Sequence, residues 1–170
     1  MVERQAQFER LYREYADRVH AYALRRTTPS AADDVVAEVF LVVWRRLHRV
    51  PDEPLPWLLG VARRVLANRR RTESRAAALQ ERLADGHPPS EPAVVSSEVD
   101  DRVQRALAGL SERDRELVLL IAWEGLRVSE AARALGVRAG TLAVRLHRAR
   151  QRLARALAEE DVEIEMEVQR

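Results

Sequence analysis

The 170-residue chain has no cysteine and no lysine; all 29 of its basic residues are arginine. Without cysteine there is no disulfide, no thiolate metal site and no thiol redox switch. The missing lysine we read as coding bias rather than function. Aromatic residues make up only 5% of the chain, while alanine, leucine, valine and arginine dominate, a balance that favours helix over sheet. Long apolar runs are absent too: the longest, LVLLIAW from Leu117 to Trp123, falls far short of the roughly 20 residues that span a bilayer. The opening MVERQAQFER lacks the apolar core of a signal peptide. A soluble, cytoplasmic protein without membrane insertion is expected. His20, His48, His87 and His147 lie apart without metal-ligand spacing, and neither a glycine-rich phosphate loop nor a nucleophile motif occurs. The expectation is therefore no catalysis, no metal and no cofactor.

The length suits one or two small domains, and the charge divides the chain. Residues 1 to 71 carry fourteen arginines against nine acids, and 72 to 99 carry two against five. Residues 100 to 158 carry twelve against seven, and 159 to 170 one against six. Two basic blocks are thus separated by an acidic connector and closed by an acidic tail. The composition predicts an all-α protein, and the charge distribution two small helical domains on a tether, both facing a polyanion.

Residues from about Gln5 to Arg26 are predicted helical, with Phe8, Leu11, Tyr12, Tyr15, Val19 and Tyr22 near helical spacing as core. TTPS breaks this helix, and Ser30 with Asp33 offers a capping box variant for the next, AADDVVAEVFLVVWRRLHRV, running to about Arg49. Val35, Val36, Val39, Phe40, Val42, Val43 and Trp44 exceed what one buried stripe requires, so a second packing partner is expected, either another helix or another protein. Pro51, Pro54 and Pro56 then make a short, stiff loop. The following helix, LPWLLGVARRVLANRRR, is predicted to bury Trp57, Leu58, Val61, Ala62 and Val65 and to expose Arg64, Asn68 and Arg71, flanked by Arg63, Arg69 and Arg70. An asparagine amide can pair with an adenine edge while arginines hold phosphates. The other reading is a solvated helix end whose arginines complement the C-terminal dipole.

From about Thr72 to Glu98 the pattern fails, and DGHPPSEPAVVSS reads as linker. A helix resumes near Glu98 to Ala108 with Val99, Val103, Ala106 and Leu107, and Gly109 ends it. Ser111 with Asp114 caps the next, in which Leu117, Leu120 and Ile121 face inward, with Trp123 near its end and Gly125 beyond. No role is assigned to the tail EEDVEIEMEVQR.

The most informative stretch is Val128 to Leu157, VSEAARALGVRAGTLAVRLHRARQRLARAL. Ser129 before Glu130 offers an N-cap with an acid in the first turn; Ala131, Ala132 and Leu135 give a short helix its apolar side. Gly136 sits where a sharp turn needs a left-handed residue. Leu142, Leu146, Ala149 and Leu153 then form one buried stripe, with Arg145, Arg148, Arg152 and Arg155 about a quarter turn away and Thr141 and Val144 beside them. From Arg138 to Ala158 there are six arginines and no acid. This is a helix-turn-helix pattern, whose second helix suits the major groove; the arginines alone would equally fit the solvated face of a bundle helix.

Taken together, the chain resembles the sigma-70 family of RNA polymerase sigma factors, in its small two-domain extracytoplasmic-function (ECF) group. FERLYREYADRV, AADDVVAEVFLVVWRRL and PWLLGVARRVLANRRR resemble that family's region 2, and LSERDRELVLLIAWEGLRVSEAARALGVRAGTLAVRLHRARQRL its region 4. The resemblance implies region 2 at 1–72, a linker at 73–98, region 4 at 99–158 and an acidic tail at 159–170. It implies a protein that binds core RNA polymerase and promoter DNA, and it admits an anti-sigma partner. Asp33, Asp34, Val35, Glu38 and Phe40 would dock on the polymerase clamp. Arg63, Arg64, Asn68, Arg69 and Arg71, with the loop from Val50 to Pro56, would take the melted minus-10 strand. Arg138, Thr141, Val144, Arg145, Arg148, Gln151, Arg152 and Arg155 would read the minus-35 duplex. The chain departs from the family pattern at Ala37, where glutamine is usual, at Arg64, where asparagine is usual, and at Arg138 and Ala139, where serine-proline precedes the recognition helix. The rival reading is a stand-alone helix-turn-helix regulator with a sensing or dimerising N-terminal half; a helical adaptor that binds protein only is a third.

Overall fold

The structure, a computed structural model, describes residues 2–81 and 98–168, with side chains described over 2–76 and 102–158. All regular structure among the described residues is helical, in two units, Met1–Pro92 and Ala93–Arg170.

In the first unit α1 (Val2–Leu24), α2 (Pro29–Arg45) and α3 (Pro54–Glu81) pack pairwise into a three-helix bundle, with a 3-10 turn at Leu47–Arg49 after α2. The cap of α2 is Thr28, whose hydroxyl accepts from Ala31 N at 3.4 Å, and Pro29 occupies the first helical position. The capping box expected at Ser30 and Asp33 is therefore shifted outward. Proline fits the first turn because its missing N–H has no intrahelical partner there, so the helix opens earlier than the acid pattern indicates. Most of the apolar surplus on α2 is resolved internally: Val35, Val36, Val39, Phe40 and Val43 are buried with Ala32, because α1 covers one side and α3 another, while Val42 is half-buried and Trp44 stays exposed. Facing them are Leu11, Val19 and Tyr22 of α1 and Leu58, Leu59, Ala62 and Leu66 of α3. At about 1.5–3 kcal/mol for each large side chain fully buried, this packing supplies the drive for the bundle. Leu59 and Leu66 belong to the core in addition to the stripe read from sequence, whereas Trp57 and Val65 are only half-buried.

Helix α3 also continues through residues 73–81, into the stretch predicted as linker. Its apolar stripe ends near Leu66, but TESRAAALQE consists largely of good helix formers without glycine or proline. Loss of the stripe marks the exposure of residues 71–76, not the end of the helix. The rest of the predicted linker, 82–97, lies outside the described residues.

In the second unit α4 (Glu98–Ala108), α5 (Glu112–Ala122) and α6 (Val128–Leu135) all support α7 (Ala139–Val168), which packs on each of them. Ser111 caps α5 as expected, accepting from Asp114 N at 3.2 Å. For α6 the cap is Arg127 rather than Ser129: Arg127 N donates to Glu130 Oε2 at 2.6 Å and Arg127 Nη2 to Oε1 at 2.9 Å. Glu130 stands three residues after Arg127, where a carboxylate reaches back to the cap N–H; Ser129 lies inside the first turn. Gly136 ends α6 at φ +69°, and Val137 N returns to Ala132 O at 3.0 Å, the left-handed closure that redirects the chain into α7. Leu142, Leu146 and Ala149 are buried against Leu107, Leu117, Leu120 and Ala132, with Leu153 half-buried at the end of the stripe.

Candidate nucleic-acid interface

On α7 the side chains opposite the buried stripe are Thr141, Val144, Arg148, Gln151 and Arg155, all exposed, with Arg138 exposed just before the helix starts. Arg138 O accepts the first helical bond from Leu142 N at 3.0 Å, which places the helix start at Ala139. Val144 is 55% exposed, an apolar group standing among cations. Gln151 Nε2 lies 3.0 Å from His147 Nε2.

The arginine stripe is not uniform. Arg145 Nε donates to Asp114 Oδ1 at 2.6 Å, and Arg152 Nη1 donates to Asp114 Oδ2 at 2.8 Å. Asp114 comes from the first turn of α5 and is almost fully buried. Burial works against its charge, but the hydrogen bonds from Arg145 and Ser111 and the charges of both arginines outweigh it, holding the carboxyl below its ordinary value. Asp114, Thr141, Val144, Arg145, Arg148 and Arg152 together line an open cleft of about 520 Å³. The stretch 138–158 has no acid of its own, yet the fold delivers one to it. Sequence reading assigned Asp114 only to the cap of α5, and no local signal links positions 31 and 38 residues apart.

In the first unit the expected minus-10 face divides likewise. Arg64, Asn68 and Arg71 are exposed on α3, while Arg63 and Arg69 are partly buried. Arg64 Nε donates to Gly60 O at 3.0 Å and Arg71 Nε to Ala67 O at 3.2 Å. A cleft of about 350 Å³ between α2 and α3 brings Trp57, Arg64 and Asn68 together with Arg45 and Arg46. The loop from Val50 to Pro56, expected to form part of this pocket, lines none of it; the end of α2 takes its place.

Arg69 does not line that cleft, but it is bonded to Glu38, which does. Its Nε donates to Glu38 at 2.8 Å and its Nη1 to Asp34 at 3.1 Å, and the hydrogen bond to Glu38, more than that to Asp34, raises its pKa against the opposing effect of burial. Two residues expected on the polymerase surface and one expected on the DNA surface are therefore bonded to each other. Asp33 lies 3.1 Å from His20 Nε2. Val35 is fully buried and Phe40 is 3% exposed, packed edge-on against Tyr12 at 4.7 Å. Neither can present itself to a partner; they hold α2 in place. The apolar groups that do face outward beside Asp34 and Glu38 are Leu41 and Trp44, the latter carrying Arg4 over its ring at 5.1 Å.

Family comparisons bear on both faces. Residues 11–76 match the family described as Sigma-70 region 2, and residues 100–153 match Sigma-70, region 4. The ECF RNA polymerase sigma factor SigL of Mycobacterium tuberculosis is 33% identical over 155 residues, covering 88% of this chain and 88% of SigL. The chain belongs to the ECF RNA polymerase sigma factors. SigE of Mycolicibacterium smegmatis, another ECF sigma factor, is 32% identical over 163 residues, 92% of this chain and 63% of SigE. This sigma factor thus spans nearly all of one relative and less than two thirds of the other. Its structure is similar to that of CnrH, solved with the cytosolic domain of CnrY (TM-score 0.61, 27% identity, 91% of this chain and 90% of that one). It shares its fold with RpoE, solved with the anti-sigma factor NepR from Bartonella quintana (TM-score 0.66, 24% identity, 89% and 96% covered). In the sigma factor the two matched regions fall one in each unit. Among the described residues no cluster of metal-ligating side chains occurs and no helix is long and apolar enough to cross a membrane.

Proposed function

We propose that this sigma factor, which directs promoter-specific transcription, divides promoter recognition between its two units. The second unit reads the minus-35 duplex with α7, through Thr141, Val144, Arg148 and Gln151 toward the bases and Arg138 and Arg155 toward phosphates, while Arg145 and Arg152 work from their bonds to Asp114. The observation that carries this reading is the exposed face of α7 behind the Gly136 turn, where arginines flank an apolar side chain as the major groove requires. In the first unit the cleft with Trp57, Arg64 and Asn68 takes a base of the opened minus-10 strand, an aromatic wall and an amide between guanidinium groups. Arg71 supplies phosphate charge further along the same face of α3, while Arg63, partly buried on another face, is the weaker candidate. Arg69 reaches phosphate only by leaving Asp34 and Glu38.

Core RNA polymerase docks on the outward side of α2, where Asp33, Asp34 and Glu38 stand with Leu41 and Trp44. Val35 and Phe40 act from beneath as the support of that surface. The protein works in the cytoplasm with the polymerase and contributes no catalysis of its own. An anti-sigma partner belongs to the same reading, since RpoE, which shares this fold, was solved with the anti-sigma factor NepR.

The test is reconstitution with core polymerase on duplex promoter fragments. Arg148→Ala is expected to weaken upstream duplex binding with strand opening preserved at saturation, and Asn68→Ala to do the reverse, as read by footprinting and by permanganate reactivity of opened thymines. Equal loss of both steps in each variant would contradict the division, and failure of the wild type to bind core would contradict the whole reading.

A further inference from the structure

The acid inside the arginine face has a consequence for recognition. A carboxylate lining a cleft that receives DNA repels phosphate, and one arginine is enough to neutralise it; Asp114 holds two. Asp114, Arg145 and Arg152 together carry one net positive charge. Asp114 is buried and anchored through its own backbone at the Ser111 cap, so its oxygens are fixed points on α5. Arg145 spends only Nε on it, which leaves the two terminal nitrogens of a planar group whose angle is now set. An unbraced arginine on an exposed helix samples many rotamers and favours phosphates wherever they lie; a braced one offers a fork in one place.

We propose that Asp114 is a positioning residue for promoter recognition, bracing Arg145 so that its terminal nitrogens make a bidentate contact with one base pair of the upstream element, while Arg152 balances the second carboxylate oxygen. The proposal rests on α7 being the minus-35 helix. The guanidinium fork best fits the O6 and N7 acceptors of guanine, so the braced position selects a G·C pair. Asp114 touches no DNA itself and acts through Arg145.

The experiment uses the full chain reconstituted with core polymerase and a pool of duplexes randomised across the upstream element. Asp114→Asn is expected to lose preference at one base pair, on the order of tenfold, while binding of unselected duplex tightens and its log–log salt slope steepens by about 0.9, the signature of one added cationic charge. Arg145→Lys is expected to lose preference at the same base pair with the slope unchanged. A merely structural role for Asp114 would weaken all sequences alike and leave the slope flat or shallower; that result overturns the proposal. Should Asp114→Asn fail to fold, Asp114→Glu keeps the charge and displaces it by a methylene; loss of the single preference at unchanged slope supports the brace, and full retention overturns it. Arg148→Ala separates the two layers: if it alters upstream selection while Asp114→Asn does not, the brace is wrong and the minus-35 face stands. If neither alters upstream selection, the face itself is wrong.

Discussion

Asp114 shows how one side chain can serve a cap, a core and a charged face together. Its folded carboxyl lies below the ordinary value of 3.8, with burial opposing the shift and the bonds from Arg145 and Ser111 prevailing. A depressed folded pKa means stability that is fully present above the unfolded value and is lost as pH falls through the folded one. Wild type is accordingly expected to exceed Asp114→Asn in stability near neutrality, with the gap closing on acidification below about pH 4, as measured by denaturant midpoints across a pH series. A gap that is constant down to acid would show that the carboxylate charge contributes nothing. Phe40 makes the complementary case. It is 3% exposed and ringed by Phe8 and Tyr12, so Phe40→Ala is expected to cost about 3–5 kcal/mol of stability in the first unit. Glu38→Ala, at a half-exposed position, is expected to spare stability to within about 1 kcal/mol and to act instead on core polymerase binding. Chemical denaturation alongside a pull-down separates the two.

Among the elements, the turn between α6 and α7 has a strict local requirement. Gly136 has φ +69°, and a Cβ there would meet nothing within 4 Å, so the cost of a side chain is purely conformational. Gly136→Ala is expected to destabilise the second unit by roughly 1–2 kcal/mol, measured by its unfolding midpoint, without a clash to repack. Helix α2 illustrates a different constraint. Its surplus valines had two explanations in the sequence, another helix or another protein, and the bundle supplies the first: α1 and α3 cover it on two sides. What it leaves for a partner is acidic groups with Leu41 and Trp44, a smaller surface than the valines suggested. The Arg69 bonds to Asp34 and Glu38 link this surface to α3, yet all three side chains are partly solvated, and such pairs are worth little in stability.

For the molecule as a whole, each unit has a core of its own, one built on Tyr22, Leu58 and Val39 and the other on Leu117, Leu120 and Leu142. Hydrogen exchange on the full chain is expected to follow that division: Phe40→Ala raises exchange in the amides of α1 to α3, and Gly136→Ala in those of α4 to α7. A variant that loosens both sets equally would show that the cores are not separate. The two basic blocks of the sequence coincide with these cores, so each unit carries its own excess of arginine, as the proposed division of promoter recognition requires.

Much of this was legible in the linear chain because its causes are local. Helix periodicity, the Ser111 cap, the glycine at 136 and the segregation of charge depend on residues within a few positions of one another. The helix-turn-helix and the cationic blocks could therefore be read before any coordinates. Two cap positions were misread by two residues, since the caps are Thr28 rather than Ser30 and Arg127 rather than Ser129. Only tertiary structure decided which arginines keep their charge outward. Arg145, Arg152 and Arg69 look like their neighbours in sequence, and what distinguishes them is a carboxylate brought from another helix. A charge's effect depends on what lies within a few ångströms, and for these side chains that neighbour stands more than thirty residues away along the chain.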